Sequence, residues 1–223
     1  MYLWGTKQIC HHIFTSLDMS KLYFRYGTMG STKTLNLLTT AYNFEERNIN
    51  FICLKPSVDN RDGADIIKSR VGIERHCEVV KPDTNVFELI RNKNYTLMED
   101  KFLKIEWVLV DEAQFFTEKQ IEQLAKAVDI LDINIMCYGL RTDFQSHLFP
   151  GSRRLFELAD NIEEVKASCS CGRKTSINAR IDADGNVITT GEQVLIGGND
   201  KYIAMCRKCW YKRIQESKNP KLF

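Results

Sequence analysis

The sequence predicts an α/β fold in which a parallel P-loop sheet with flanking helices is followed by a small C-terminal zinc-binding β domain. Short apolar strands alternate with amphipathic helical stretches from Lys21 onward, which favours a parallel sheet. A glycine-containing loop at 27–34 joins the first strand to the first helix. Two close cysteine pairs lie in a C-terminal part made of short strand-like runs and turns.

The elements of the sheet follow in chain order. LYFRY at 22–26 predicts a strand, and Thr34 to Arg47 predicts a helix because apolar residues recur at helical spacing. These residues are Leu35, Leu37, Leu38, Ala41, Tyr42 and Phe44. Apolar runs at 49–55, 105–112 and 133–140 are typical of strands buried on both faces. Thr117 with Gln120 predicts the capped start of a second helix.

The sequence changes character at about residue 163. Strand-like runs at 163–168, 175–181, 186–190 and 201–206 replace the helical periodicity. We therefore expect a nucleotide-binding domain at 19–162 and a metal-organised lobe at 163–223, whose basic end after Lys212 is a frayed, solvated terminus. Residues 1–18 are expected to be a disordered extension, with an ordered helical arm as the alternative.

Composition excludes several classes of protein. The 31 Lys and Arg residues face 29 Asp and Glu, giving a formal charge of only +2, which argues against direct nucleic-acid binding through a basic surface. No apolar run approaches the roughly 20 residues of a membrane helix, and residues 1–18 do not form a signal peptide. Scattered thiols at Cys10, Cys53, Cys77 and Cys137 indicate a reducing compartment. We therefore expect a cytoplasmic protein without membrane contact.

The loop after the first strand has the context of a phosphate-binding loop. Its members are Gly27, Thr28, Met29, Gly30, Ser31, Thr32, Lys33 and Thr34. Backbone N–H groups at a helix start attract polyphosphate. Lys33 would reach the β- and γ-phosphates, and the Thr34 hydroxyl would ligate Mg²⁺. The pattern requires glycine before the lysine and this chain has Thr32, so the loop taken alone is equally consistent with an ordinary strand-to-helix turn.

An acid pair follows the apolar strand at 105–110. Asp111 and Glu112 would lie at the carboxyl edge of the sheet, where open α/β sheets bind ligands. One acid can orient Mg²⁺ and the other can take a proton from a nucleophile. The alternative is a strand that ends in solvated charges, but the order of loop and acids favours the functional interpretation.

The two cysteine pairs predict a metal site. Cys169, Cys171, Cys206 and Cys209 can supply four thiolates to a tetrahedral, structural Zn²⁺. Zinc is favoured over iron–sulfur because the site would tie together a small lobe that lacks its own core. Redox pairs or unmetallated thiols are the alternative.

With these features in this order, the chain resembles the thymidine kinases of bacteria, poxviruses and animal cytosol (type II) from about Lys21 to Tyr211. The blocks that carry the resemblance are KLYFRYG-TMGSTKT, KPSVDNRDGA, VDEAQFF, CYGLRTDF, SCSCGRK and IGGNDKYIAMCRKC. VDEAQFF and IGGNDKY are the most specific blocks, and the CYGLRTDF and CGRK segments favour the bacterial branch.

The resemblance implies a reaction and its machinery. The γ-phosphoryl group of ATP would pass to the 5′-hydroxyl of thymidine or deoxyuridine, in nucleotide salvage for DNA synthesis. Glu112 would be the general base, Asp111 would help to place Mg²⁺, and Arg61 would lie near the transferring phosphoryl group, with Asp59 close by. A guanidinium suits the charge that develops on the phosphoryl oxygens.

The resemblance also implies a thymine site under a loop at 191–202. Backbone groups around Val194, Ile196, Gly197 and Gly198 would read the base edge, and Tyr202 would line the site. Met29, Phe115, Leu140, Phe144 and Phe149 would form an apolar wall that accepts the 5-methyl group. Family members form homotetramers and are inhibited by dTTP in the same site, so both properties are expected here.

Two departures from the family pattern leave alternatives open. Thr32 replaces the loop glycine, and residues 1–18 have no family counterpart. The chain could therefore be a weakly active or inactive relative that still binds thymidine or dTTP. A protein of another class, a zinc-ribbon P-loop ATPase that acts on nucleic acid, would show the same loop, acids and cysteines.

Overall fold

The structure is a computed structural model that describes residues 19–94, 97–98, 101–102, 104–194 and 201–218. The N-terminal extension at 1–18 therefore lies outside the described residues. The helices are α1 (Lys33–Glu46), α2 (Val86–Asn94), α3 (Glu118–Leu131), α4 (Pro150–Leu158) and α5 (Arg207–Lys218). The strands are β1 (Leu22–Tyr26), β2 (Phe51–Pro56), β3 (Ile66–Lys68), β4 (Glu74–His76), β5 (Glu78–Val80), β6 (Leu97–Met98), β7 (Lys101–Phe102), β8 (Trp107–Val110), β9 (Asn134–Gly139), β10 (Asn161–Glu164), β11 (Ile177–Ile181), β12 (Val187–Ile188) and β13 (Tyr202–Met205).

Six parallel strands form the central sheet, in the order β10-β1-β9-β8-β2-β5. The predicted α/β fold with a parallel sheet is confirmed. Because all six strands run in the same direction, the segments that follow β1, β8, β9 and β2 emerge at one edge. The predicted phosphate loop and the acid pair are two of these segments.

Both faces of the sheet are covered by helices, which explains the continuous apolar runs. Val108 and Val110 of β8 belong to the larger core, with apolar side chains of α2, α3 and α4. Leu109, on the opposite face, packs with residues of α1. The predicted capping box at the start of α3 is confirmed, because the Thr117 hydroxyl accepts from the Gln120 N–H and the Gln120 side chain accepts from the Thr117 N–H.

The C-terminal lobe contains an antiparallel sheet in the order β12-β11-β13. Among the described residues its buried apolar core consists of Cys169, Ile177, Ala179, Met205 and Cys206. So small a core is of the kind that natural proteins strengthen with a metal or disulfides.

Three predictions about the elements were wrong. The run at 163–168 was assigned to the lobe, but its first two residues, Glu163 and Glu164, end β10, which pairs in parallel with β1 at the edge of the central sheet. The end after Lys212 was expected to be frayed, but it continues α5 as far as Lys218. Tyr42 lies outside the apolar stripe of α1, since 58% of it is exposed, whereas Leu37, Leu38 and Ala41 are buried as expected.

Among the described residues, the helices are either too short or too polar to cross a membrane.

Candidate active site

The phosphate-loop candidate lies between β1 and α1, at the carboxyl edge of the sheet. The Gly27 N–H donates to the Gly139 carbonyl at 3.1 Å, which fixes the loop against the end of β9. Lys33 Nζ donates to the Thr28 carbonyl at 2.8 Å and lies 3.3 Å from Ser31 Oγ. Burial lowers the pKa of Lys33 to about 8. The ammonium is thus held inside the loop that presents the helix N-terminus.

Thr32 takes the backbone conformation that the sequence pattern reserves for glycine. It is the N-cap of α1, with φ 60° and ψ 18°, in the left-handed region. Its hydroxyl donates to the Ser31 carbonyl at 2.6 Å. A β-branched residue with positive φ is an outlier, and such conformations cost on the order of 1–3 kcal/mol. The loop is therefore formed around a strained residue.

Asp111 connects the end of β8 to the phosphate loop. Its carboxylate is buried and accepts a hydrogen bond from the Thr34 hydroxyl, with Oγ1 3.1 Å from Oδ2. Burial, and next the charge of Glu112, raises the pKa of Asp111 to about 7. The hydroxyl and the carboxylate expected to share Mg²⁺ are therefore direct neighbours.

Glu112 is the central acid of the site. Its backbone is left-handed, with φ 48°. One carboxylate oxygen accepts from Arg61 Nη2 at 2.7 Å, and the other accepts from Gln114 Nε2 in a short hydrogen bond. A carboxylate offers about four lone-pair sites, so two donors leave it capacity to accept a further proton.

Gln114 was not predicted from the sequence, although it lies two residues after the acid pair. It is buried, and its Oε1 accepts from the Leu140 N–H at 2.9 Å. Gly139 permits this approach, because a Cβ at that position would lie 2.8 Å from Gln114 Oε1. A single side chain thus links Glu112 to the segment that follows β9.

Arg61 is held from the other side by the segment after β2. Its Nε donates to Asp59 Oδ1 at 2.6 Å. Lys55, which was also not predicted, is buried and donates to the carbonyls of Gly63 at 3.0 Å and Ile66 at 2.8 Å. Its Nζ lies 3.8 Å from Asp59 Oδ2. The lysine thus closes the loop that carries Arg61.

A cavity of ≈ 240 Å³ opens beside these groups. Predicted site residues that line it are Met29, Gly30, Ser31, Thr32, Lys33, Thr34, Arg61, Glu112, Phe115, Leu140, Phe144, Phe149, Val194 and Tyr202. Gly27, Thr28, Asp59 and Asp111 are not among the lining residues. Ile196, Gly197 and Gly198 lie outside the described residues, so their predicted contact with a base edge stays a prediction.

The lining of the cavity combines polar and apolar groups. The polar groups include the phosphate loop, Arg61 and Glu112, and the apolar groups include Phe115 and Phe149, whose rings meet edge to face with centroids 5.6 Å apart. The sequence did not predict several further lining residues. These are Leu35, Asp62, Lys68, Ser69, Arg70, Val71, Gln114, Thr142, Asp143, Asn178 and Gln193.

The C-terminal lobe docks directly onto the phosphate loop. Asn178 Oδ1 accepts from the Met29 N–H at 2.8 Å, and its Nδ2 donates to the Thr142 carbonyl at 3.1 Å. The hydroxyls of Thr28 and Thr175 lie 2.7 Å apart. Asn178 in β11 and Thr175 before it are short polar residues that gave no sequence signal for this role, because their importance comes only from the docking.

The four predicted metal ligands come together. The sulfur atoms of Cys169, Cys171, Cys206 and Cys209 all lie within 4.8 Å of one another, and Sγ of Cys171 is 3.6 Å from that of Cys206. A tetrahedral ion with Zn–S bonds of about 2.3 Å requires sulfur separations of about 3.8 Å. Backbone N–H groups of Cys171 and then Cys206 lower the pKa of Cys169 to about 6, whereas the thiols of Cys171 and then Cys206 raise the pKa of Cys209 to about 12, so it is the spacing of the four sulfur atoms that supports the site. The cluster is compatible with structural zinc.

Comparison with known proteins gives a consistent result. A family model described as thymidine kinase matches residues 20–210. The chain is 44% identical over 189 residues to a thymidine kinase of Mannheimia succiniciproducens, covering 85% of this chain and 94% of the relative. It is also 44% identical over 189 residues to one of Haemophilus influenzae, covering 85% and 95%. A Rhizobium meliloti thymidine kinase is 44% identical over 198 residues, covering 89% of this chain and 100% of the relative.

The geometry of the cysteine cluster predicts one zinc per chain. Cys206→Ser should reduce the bound zinc and lower the melting temperature, because metal binding contributes directly to the stability of a lobe with so small a core. Cys77→Ala is the matched control, since this half-buried thiol lies outside the cluster. Metal analysis of the purified proteins measures the effect. Full zinc content and unchanged melting in the Cys206 variant would contradict the assignment.

The left-handed backbone of Thr32 predicts that Thr32→Gly improves the loop. Glycine adopts positive φ without the steric cost, so we expect a Michaelis constant for ATP that is lower by about 10- to 100-fold, or a higher turnover. The constant for thymidine should stay unchanged. Asn48→Gly is the control, because Asn48 has φ 54° at the far end of α1. Steady-state kinetics that give equal or poorer ATP constants for Thr32→Gly would show that strain does not limit the loop.

Proposed function

Because this chain belongs to the thymidine kinase family, we propose that it transfers the γ-phosphoryl group of ATP to the 5′-hydroxyl of thymidine, with deoxyuridine as a second acceptor. One observation supports the proposal above the others. The Glu112 carboxylate, held by Arg61 and Gln114, lines the same cavity as residues 29–34 of the phosphate loop and the rings of Phe115, Phe144 and Phe149. Donor phosphates and an acceptor nucleoside placed in these two regions would meet at Glu112.

The phosphates of ATP would be bound by the backbone N–H groups of residues 27–34 and by the Lys33 side chain. Lys33 now donates to the Thr28 carbonyl, and it would exchange this acceptor for phosphate oxygens. Thr34 and Asp111 would hold Mg²⁺, which neutralises charge on the phosphates when bound. The hydrogen bond between these two side chains supports their shared role.

The chemical step assigns different work to Glu112 and Arg61. Glu112 would accept the proton of the 5′-hydroxyl as that oxygen attacks the γ-phosphorus. Arg61 would donate to the phosphoryl oxygens, where charge accumulates in the transition state. The contact between the two side chains, at 2.7 Å, supports the proposal that base and cation act on the same reacting group.

The apolar side chains that line the cavity would hold the base. Phe115, Phe144 and Phe149 supply the wall, and backbone groups in 194–198 would read the pyrimidine edge. Backbone N–H and C=O groups cannot exchange their roles as donor and acceptor. They would therefore prefer thymine, which has an acceptor at the 4-position, to cytosine, which has a donor there. Loss of one methyl group costs only about 1 kcal/mol in such a pocket, which supports acceptance of deoxyuridine.

The proposal extends to regulation and setting. The adjoining nucleoside and phosphate regions would also accommodate dTTP, so we include feedback inhibition by dTTP. A homotetramer, a cytoplasmic location and a role in pyrimidine deoxynucleoside salvage complete the proposal. Zn²⁺ at the four cysteines would hold the lobe that supplies the base-covering loop.

Thr32 supports one alternative, a weakly active relative that binds thymidine or dTTP, because its strained backbone lies in the phosphate loop. A coupled assay with ATP and thymidine tests the proposal directly. ADP formation that depends on free thymidine supports the kinase. Binding without turnover supports the weak relative, and ADP formation that depends on a polynucleotide supports a nucleic-acid ATPase.

The position of Glu112 predicts that Glu112→Gln lowers turnover by on the order of 10² to 10⁴ while thymidine binding is retained, because the amide cannot accept the proton. Asp111→Asn should instead change the dependence of the rate on Mg²⁺ concentration. Glu122→Gln, which alters only a surface ion pair with Arg154, should leave both unchanged. Steady-state rates and a thymidine titration measure the three variants. Near-normal turnover of Glu112→Gln would exclude Glu112 as the base.

A further inference from the structure

Arg180 is a residue of β11 that is not among the residues lining the cavity, although two of its contact partners are. Its side chain is 95% buried, since only 5% of the residue is exposed. The guanidinium carbon stacks 3.8 Å from the ring centroid of Phe144. Nε and Nη2 donate to the hydroxyl of Tyr202 at 3.2 and 2.8 Å. Arg180 therefore contacts the outer side of two residues whose other atoms line the cavity.

The same guanidinium also binds the chain on the other side of residues 195–200. Nη1 donates to the Glu192 carbonyl at 2.8 Å, and Nη2 lies 3.4 Å from the Gln193 carbonyl. Glu192 and Gln193 precede residues 195–200, which lie outside the described part, and Tyr202 follows them. One side chain thus joins both ends of the 191–202 segment to each other and to Phe144.

A hydrogen bond that does not involve Arg180 also holds the 191–194 segment. Gln193 Nε2 donates to Asp143 Oδ2 at 2.8 Å. Asp143 Oδ1 in turn accepts from the N–H groups of Gln145 and His147, each at 2.9 Å. The 191–194 segment is consequently fixed to the segment after β9 at two adjacent residues, Asp143 and Phe144.

The chemistry of these contacts requires a guanidinium. Within the described residues, Arg180 forms no ion pair with a carboxylate, and its partners are two carbonyls, a phenol oxygen and aromatic rings. Burial of a cation without a carboxylate is a poor source of stability. A planar guanidinium can lay its face on a ring while its five N–H groups donate in its plane, whereas an ammonium has three donors and no flat face to stack.

We infer that Arg180 is a positioning residue for the nucleobase, because it fixes the ring of Phe144, the backbone at 192–193 and the hydroxyl of Tyr202. The inference rests on the proposed function, in which this cavity holds thymidine. Arg180 acts through Phe144, Gln193 and Tyr202. A change at Arg180 should therefore weaken the binding of thymidine and leave the binding of ATP unaffected.

Arg180→Lys tests the inference in the full-length protein with zinc retained. We expect the Michaelis constant for thymidine to rise about 10- to 100-fold, as for the loss of charged hydrogen bonds, and that for ATP to change less than about twofold. Arg141→Lys is the matched control, because Arg141 also donates across the junction, to the Ser176 carbonyl at 3.4 Å. This control should leave both constants unchanged.

Hydrogen exchange of the protein without substrate gives a readout that does not depend on activity. Backbone amides in 191–194 and 202–205 should exchange faster in Arg180→Lys than in the unaltered chain, and Arg141→Lys should match the unaltered chain. Unchanged exchange together with an unchanged constant for thymidine would overturn the inference. An equal rise in both Michaelis constants with loss of zinc would also overturn it, since the role would then be merely structural.

Tyr202→Phe provides a second variant that keeps the ring and removes only the acceptor hydroxyl. We expect a several-fold rise in the constant for thymidine, and a combined effect with Arg180→Lys smaller than the product of the single effects. Independent, multiplicative effects would contradict a shared contact. If the unaltered chain does not phosphorylate thymidine, the proposed function fails, while the exchange measurement still decides whether Arg180 holds the segment.

Discussion

The pair of hydrogen bonds that holds the Glu112 carboxylate organises the candidate site. Arg61 reaches it from the segment after β2, and Gln114 reaches it from the turn after β8. Arg61 donates to Asp59, which lies next to the buried Lys55. The Gln114 side chain accepts from the Leu140 N–H. Three loops at the carboxyl edge are therefore connected through one acid. A parallel sheet makes this arrangement possible because neighbouring strands end side by side.

This arrangement has an energetic cost that the rest of the fold must offset. Thr32 and Glu112 both have left-handed backbones, at on the order of 1–3 kcal/mol each. Burial raises the pKa of Asp111 from 3.8 to about 7. Since the folded state favours the protonated acid, the stability associated with Asp111 is present at low pH and is lost as the pH rises from about 4 to 7. A bound cation would reverse this loss, which couples ligand binding to stability.

Much of the fold was predictable because the signals were local or periodic. The buried strands β2, β8 and β9 are continuous apolar runs, and Thr117 with Gln120 marks the start of α3. Glu163 and Glu164, the last residues of β10, were assigned to the lobe because short strand-like runs begin there, and only the pairing of β10 with β1 places them in the main sheet. α5 was missed because it lacks an apolar stripe.

Residues whose type implies their chemistry, such as paired acids or cysteines, could be predicted from the sequence. Residues that only hold other groups in place could not. The sequence pointed to the loop, the acid pair and the cysteines, and the structure brings the cysteines together and the loop beside the acids. Gln114, Lys55, Asn178 and Arg180 were missed. Each acts by holding another group, and the partners that reveal this are distant along the chain or come from another loop. Glutamine and lysine occur so often on surfaces that their type alone carries no such signal.

Gln114→Glu is the most direct test of whether the held carboxylate of Glu112 controls the reaction. The substitution keeps the shape of the side chain but replaces the Nε2 donor with an oxygen. Single-turnover transfer from ATP to thymidine, measured at pH 8 and pH 6, should fall by on the order of 10²-fold at pH 8. The loss should be smaller at pH 6, where a protonated carboxyl at position 114 can donate to Glu112 again. A rate at pH 8 equal to that of the unaltered chain would contradict the account.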